Sequence, residues 1–369
     1  MISKNSIVSF LKDYLIKLLT RPFLLDTNEI KYMMMWKNFI LYVSAVFFCG
    51  CSQSTQEVKK YSGFEQTVSV QSTRIEVPPV LLYPRNLFLL DDKLIVLNEQ
   101  TDTLFQVFGL PHLVYQGQFG VKGEGPQDFH LPAIQPVSRT ASSFVLCDLT
   151  RLKTVSWDAS GPRVIAANMP SSFQYYNGLQ QLQDSIFCCN AEYTSDNELR
   201  FIYRDGTYKE LGEYPEQVEP RFKDALARGQ AYSSLLVAKP DGSSVAVFYQ
   251  HIRRYRIYDA DGKLKSDNVV DMQPAHEWPD VKDEQRYIHP IAVYATDRYI
   301  YTLNLDMTAA DIGTAASNPS VQVFDWEGHP LKRYQLDRFI SSFTVDEQKG
   351  LLYGVFVEDE DAIYQFELS

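Results

Sequence analysis

"GQFGVKGEGPQDFHLP", residues 117–132, places Gly117, Gly120, Gly123 and Gly125 within nine residues and follows them at once with Pro126. Such a segment either cradles a phosphate or turns the chain. The choice separates a nucleotide enzyme from a repeated scaffold. A Walker loop needs G-x-x-x-x-G-K-[ST], and the dinucleotide fingerprint needs G-x-G-x-x-G opening a helix after a strand. Here the order is G-x-x-G-x-G, no Gly-Lys-Ser/Thr follows, and the stretch bounded by Pro126 and Pro132 lacks helical periodicity. Phosphate binding in those motifs draws on the dipole of a helix N-terminus, so without a helix the mechanism is missing. These glycines read as a turn.

Working outward, the same plan of apolar strand, tight turn and second strand recurs along the chain. It appears in "KLIVLNEQTDTLFQVF" (93–108), "SFVLCDLTRLKTVSWDASGPRVIAAN" (143–168), "SIFCCNAEYTSDNELRFIYRDGTYKELGEY" (185–214) and "SVAVFYQHIRRYRIYDADGKLKSDNVV" (244–270). Two more instances cover 299–336, with an inserted loop at 307–319, and 351–368. Turns such as "SWDASG", "YRDG", "IYDADGK" and "VFDWEGH" share Asp and Gly, because Asp tolerates turn conformations and Gly supplies positive φ without steric cost. Further apolar starts lie between the units, marked by Arg85, His130, Tyr176, Tyr232, His289 and Arg338. Six starts at intervals of roughly fifty residues predict an all-β fold, a six-bladed β-propeller of four-stranded antiparallel blades. The ring needs closing, and "FEQTVSV" (64–70) is the expected strand that completes the last blade.

Composition agrees with strands. Of the 369 residues 45% are hydrophobic and 13% aromatic, only 22% charged, and aromatic side chains suit a pleated, half-buried surface. The net charge is −11, and the first 50 residues hold six of the 35 basic but three of the 46 acidic side chains, so the body is the more acidic part. That excludes nucleic acid as the main partner, since phosphates require clustered Lys and Arg. The one basic run, "HIRRYR" (251–256), alternates like a strand with a charged face.

The N-terminus carries an address. Lys37 precedes an apolar run of ten residues, Phe39 to Phe48, then Gly50, Cys51 and the polar tail "SQSTQEVKK". The run is too short to span a bilayer comfortably and has the size of a signal-peptide core. The arrangement resembles a bacterial lipoprotein signal in which Cys51 takes the lipid, although Phe48 and Cys49 depart from the usual pattern. Residues 1–34 are then an over-extended start, 35–50 the signal, 51–62 a tether and 63–369 the propeller. Ser52 and Gln53 do not suggest inner-membrane retention, so the outer membrane is the expected location. Cys147, Cys188 and Cys189 sit in apolar runs, show no C-x-x-C or zinc spacing, and read as buried structural thiols.

Gly120, Gly123, Gly125, Pro126 and Phe129 match a G-x-x-G-x-G-P-x-x-F/Y segment. With the lipoprotein signal, they make residues 63–369 resemble the TolB-like six-bladed propeller lipoproteins of Bacteroides-type bacteria. The resemblance implies a fold and a cell-envelope address without a defined activity.

Function must come from the site, because propellers host enzymes and binding modules alike. Connections from each outer strand to the next inner strand gather on one face, around the channel mouth. Arg85 with Asn86, His130, Tyr176 with Asn177, Tyr232, His289 and Arg338 are therefore expected to ring it. Such a polar, mildly cationic funnel suits an anionic or carbohydrate-like ligand or an acidic peptide. The expectation is a membrane-anchored extracytoplasmic module binding an envelope protein, peptide or glycan, with no cofactor and no metal. The alternative is a channel-sited hydrolase or lyase, possibly dependent on a divalent metal; a purely structural envelope protein is a third reading. The marker positions offer no carboxylate cluster, "DADG" (259–262) lacks the later Glu of a calcium loop, and "VEDEDA" (357–362) reads as a hairpin tip.

Overall fold

The computed structural model describes residues 57–78, 80–169, 178–183, 186–215, 222–272, 286–312 and 318–368. The signal, Cys51, Tyr176 and Asn177 lie outside these residues. Six sheets follow one another. Blade 1 comprises Pro84–Leu90, Lys93–Asn98, Thr103–Gly109 and Val114–Val121, and blade 2 comprises Ser138–Arg139, Ser143–Asp148, Arg151–Asp158 and Gly161–Asn168. Blade 3 uses Gln180–Gln183, Ile186–Asn190, Asn197–Tyr203 and Tyr208–Glu213; blade 4 uses Ser234–Ala238, Ser244–Tyr249, Arg254–Asp259 and Leu264–Val270. Blade 5 holds Tyr287–Ala295, Tyr299–Thr308, Ser320–Asp325 and Pro330–Leu336, and blade 6 holds Ser342–Asp346, Leu351–Phe356 and Asp359–Glu367.

Within each blade the strands pair antiparallel in sequence order. Second strands read as unbroken apolar runs rather than alternating ones because neighbouring blades cover both faces. All six residues of Ser244–Tyr249 are buried, for instance. Among the described residues the core is correspondingly divided, with one cluster between each pair of adjacent blades and a seventh, smaller one of Tyr232, Tyr249 and Ile252. Phe88 and Phe144 stack at 4.1 Å between blades 1 and 2, and Tyr353, Val355 and Ile363 of blade 6 pack on Leu87 and Val96 of blade 1. That last contact closes the ring.

The Asp-Gly turns occupy one equivalent position, the hairpin between third and fourth strands. Asp259 accepts the amides of Asp261 (3.1 Å) and Lys263 (2.8 Å), and Gly262 turns the chain at φ 81°. Its carboxylate is thus spent on its own turn.

The closing strand differs from the expectation. Ser72–Glu76, not residues 64–70, pairs antiparallel with Asp359–Glu367 and completes blade 6. Gln66–Val70 instead adds in parallel to the outer strand of blade 5, and Lys59–Tyr61 adds in parallel to that of blade 4. The reason is connectivity: the strand that completes the last blade must lead directly into Pro84, so the segment nearest residue 84 takes that place. Asp337 fixes the changeover by accepting the Ser72 amide at 3.1 Å.

Candidate functional site

The glycine-rich stretch divides: Gly117 and Gly120 lie in the outer strand of blade 1, Val114–Val121, and Gly123 and Gly125 in the turn that follows it towards blade 2. Gly120 adopts φ 77°, and the Phe105 ring lies where its Cβ would stand. Phe129 is fully buried against Phe105, ring centroids 5.0 Å apart. Asp128 accepts the Gly125 amide at 2.9 Å, and the Lys153 ammonium donates to the Asp128 carbonyl. Lys153 also pairs with Asp148 at 2.7 Å, both side chains being 1% exposed. Asp148 in turn accepts the amides of His130 (3.0 Å) and Leu131 (2.7 Å).

Around the ring centre, side-chain amides tie blade to blade. Asn86 donates to the Ile134 carbonyl at 2.6 Å and accepts from Ser342 at 3.1 Å, joining blade 1 to the chain entering blade 2 and to blade 6. Gln180 of blade 3 donates to the Pro136 carbonyl (3.0 Å) and accepts the Ala238 amide (2.9 Å). Gln135 reaches past blade 3 to the Leu236 carbonyl of blade 4. None of these glutamines stands out in the sequence, because an isolated Gln before a short strand carries no pattern.

The expected ring residues are placed as follows. Arg85 pairs with Glu99 at 3.2 Å on the mouth face, and the His130 side chain is exposed on that face. Tyr232 is buried behind the helix Ala225–Ala231, stacked on Tyr214 and edge-on to Tyr249. His289 is buried between blades 4 and 5. Arg338 lies over the Tyr364 ring at 4.3 Å and donates to Ser72 Oγ at 3.0 Å, so it serves the closing strand. Arg85, Asn86 and His130 share one region through Ile134 and Asp148; the structure does not bring Tyr232, His289 and Arg338 together with them.

A polar cluster centres on Asp306, whose backbone sits at φ 56°. Its carboxylate lies 2.7 Å from His289 Nδ1 and 3.4 Å from Arg253 Nε, with Gln322 Nε2 at 3.2 Å and Arg333 at 3.7 Å. Burial lowers the His289 pKa against the opposing pull of Asp306, which favours neutral imidazole. Burial alone would raise the Asp306 carboxyl, yet His289 and the two arginines hold it below the usual range. The cluster flanks a small cleft lined by Tyr249, Arg253, His289, Asn304 and Gln322 among others. Asp306 lies inside "YTLNLDMT", which reads as plain strand, so sequence gave no signal for it.

A second buried network is structural. Arg256 bridges Glu198 (3.0 Å) and Asp267 (2.8 Å), Arg254 forks onto Asp267 at 2.7 Å, and the hydroxyls of Tyr249 and Tyr258 donate to Glu198. Burial pushes the Cys147 thiol up to about 11 and that of Cys189 to about 12, so neither is poised to react. Among the described residues, no three His, Cys, Asp or Glu side chains converge as a metal requires.

The mouth face of blades 1 and 2 has a different character. Leu82, Leu131, Ile134 and Leu149 are 41, 56, 39 and 40% exposed. Hydrogen bonds tie the segments that carry them: the Gln100 amide donates to the Leu82 carbonyl, the Leu131 amide to the carboxylate of Asp148 beside Leu149, and the Asn86 side chain to the Ile134 carbonyl. Leu149 is held at φ 56°, an uncommon conformation for a bulky residue. Arg85 and His130 border this patch.

Over residues 63–348 the sequence matches the family model described as TolB-like 6-blade propeller-like. A protein described as exported, from Bacteroides fragilis, has a similar structure, with 10% identity and a TM-score of 0.50 over 84% of this chain and 99% of that one. A DUF4221 family member from Bacteroides vulgatus is similar at 13% identity and TM-score 0.50, over 81% of this chain and 97% of that one. At these identities the likeness shows the fold alone. No curated protein matches the sequence.

Proposed function

The chain belongs to the TolB-like six-bladed propeller family, and from that premise we propose that it is a lipid-anchored, extracytoplasmic binding module of the cell envelope. The observation that carries the reading is the exposed apolar patch of Leu82, Leu131, Ile134 and Leu149 with Arg85 and His130 on its border. Contiguous exposed apolar surface rimmed by polar groups marks interaction sites. An acidic peptide or glycan would meet Arg85 there, while the aliphatic side chains exclude water. The similarity to a protein described as exported and the signal-like residues 35–50 before Cys51 both support an address outside the cytoplasm, with the outer membrane as the proposed site.

Thermal shift of the full chain in detergent against acidic peptides and sugars tests the reading, since a ligand at about 100 times Kd adds roughly 2.7 kcal/mol. Leu131→Asp and Arg85→Ala should each weaken binding at least about tenfold, a loss of about 1.4 kcal/mol, with the ligand-free melting temperature unchanged. Binding untouched by both variants would remove the patch from consideration. Cys51→Ala should release the chain from the membrane fraction, and retention there would sink the lipid anchor. The alternative of a hydrolase or lyase is favoured by one feature, the buried His289–Asp306 pair beside Arg253. A stabilising shift seen only with divalent cations, and lost in His289→Gln, would move the site to that cleft.

A further inference from the structure

The N-terminal segment shows how this propeller uses its rim. Lys59–Tyr61 and Gln66–Val70 are short extended pieces that add in parallel to the outer strands of blades 4 and 5. Those two edges are thereby covered, and the other four are bare among the described residues. Bare edges are templates for strand addition unless charge, proline, bulges or breaks in the strand guard them.

Three of the four are guarded. The edge of blade 6, Ser72–Glu76, carries Arg74 and Glu76, with Arg74 paired to Asp359 at 3.0 Å. The edge of blade 3, Tyr208–Glu213, carries Lys209, Glu210 and Glu213 and bends at Gly212, φ 80°. The edge of blade 1, Val114–Val121, breaks register against Val107 and Phe108 and holds Gly117 at φ 138°.

Blade 2 is the least guarded: Gly161, φ 115°, and Pro162 stand only at the start of its outer strand, and the six residues after them carry a single charge. Gly161–Asn168, "GPRVIAAN", pairs all eight residues with Arg151–Asp158 without a break in register. Ile165 is 49% exposed on it. Its one charged residue is Arg163, and exposed Arg151 lies across from Asn168, so the edge is cationic on a chain of net charge −11. Among the described residues neither arginine makes an ion pair within 4 Å, although Arg163 lies near enough to Asp158 to help lower its pKa.

We propose that the outer strand of blade 2 is a docking edge that takes up an extended, acidic segment of a partner protein as an added parallel strand. Backbone hydrogen bonds would supply the affinity, as in other strand additions, and Arg163 and Arg151 the selection for carboxylates. The chain's own additions on blades 4 and 5 supply the geometry. The site lies on the rim and does not rest on the mouth-face reading above.

The test uses the full chain in detergent with an eight-residue synthetic peptide alternating valine and glutamate, followed by fluorescence anisotropy and hydrogen exchange. Amide protection should rise along Gly161–Asn168. Ile165→Lys, at an exposed position that keeps the fold, should weaken binding at least about tenfold. Arg163→Glu should transfer preference to the peptide with lysine in place of glutamate. No protection at millimolar peptide, or protection at Val114–Val121 or Tyr208–Glu213 instead, would overturn the proposal. So would peptide-free dimerisation that protects Gly161–Asn168, which would assign the edge to a second copy.

Discussion

Lys153 and Asp148 show what a single charge can hold. Both are fully buried at 2.7 Å, and Asp148 also receives the amides of His130 and Leu131. Breaking a buried pair from one side leaves an uncompensated charge, which costs about 3–5 kcal/mol. Lys153→Met should therefore lower the urea midpoint severely. Adding Asp148→Leu should recover only part of the loss, because the two amides then lack their acceptor. His289 makes the complementary case in pH. Its imidazole is kept neutral in the folded chain, whereas the unfolded chain takes up a proton near pH 6.5. Below that value the unfolded state binds more protons, so stability falls as pH drops from about 6.5 towards the lower folded pKa. Asp306 and other carboxylates with lowered pKa values lose their contribution only at lower pH, below about 4. His289→Asn keeps a donor for Asp306 without the titration. Its denaturation midpoint should vary less between pH 7 and pH 5 than that of the wild type, and an equal pH dependence would refute the assignment.

Gly120, in the outer strand of blade 1 just before the turn, shows what an element demands of one position. A Cβ there would meet the Phe105 ring at 2.5 Å, and φ is 77°. At Gly117, φ 138°, nothing lies within 4 Å. The left-handed backbone costs roughly 1–2 kcal/mol for an L-residue, and overpacking a filled core adds about 1–3 kcal/mol. Gly120→Ala should thus destabilise by about 3 kcal/mol, clearly more than Gly117→Ala, as read from denaturant midpoints. This turn and the Asp-Gly hairpins were legible because their chemistry is local, and so were the number and order of blades. Partner choice was not. "QTVSV" and "STRIE" are equally good strands in isolation, and only the route into Pro84 decides which closes blade 6. The site was less legible for the same reason. Starts of inner strands are where blades meet, so Asn86, Tyr232 and His289 are engaged in ties and buried contacts that sequence position does not reveal. Asp306 meets His289 across a pair of strands whose register shifts at Pro290, which no spacing announces.

At the scale of the molecule, stability rests on a closed cycle of six inter-blade cores, and the N-terminal segment serves three blades in succession. Phe64 packs on the core between blades 4 and 5, Val68 and Val70 on that between blades 5 and 6, and Ile75 on that between blades 6 and 1. Lys59–Tyr61 and Gln66–Val70 cover edges of sheets that already have four strands; Ser72–Glu76 completes a sheet that would otherwise have three. The consequences of removing them should differ in kind. A chain beginning at Gln71 loses the buried Val70 side chain and part of the packing around it, each buried aliphatic side chain being worth about 1.5–3 kcal/mol. It should still melt in one cooperative transition, at a lower temperature than a chain beginning at Glu57. A chain beginning at Pro78 also loses Ser72–Glu76, which leaves Asp359–Glu367 as an open edge and takes Ser72 from Arg338 and Arg74 from Asp359. With the sixth blade incomplete, the core against blade 1 opens to water, so cooperative unfolding should be lost and the chain should self-associate. Circular dichroism melts and sedimentation of the three chains distinguish the cases. If the chains from Gln71 and Pro78 melt alike, closure by Ser72–Glu76 is not what holds the ring.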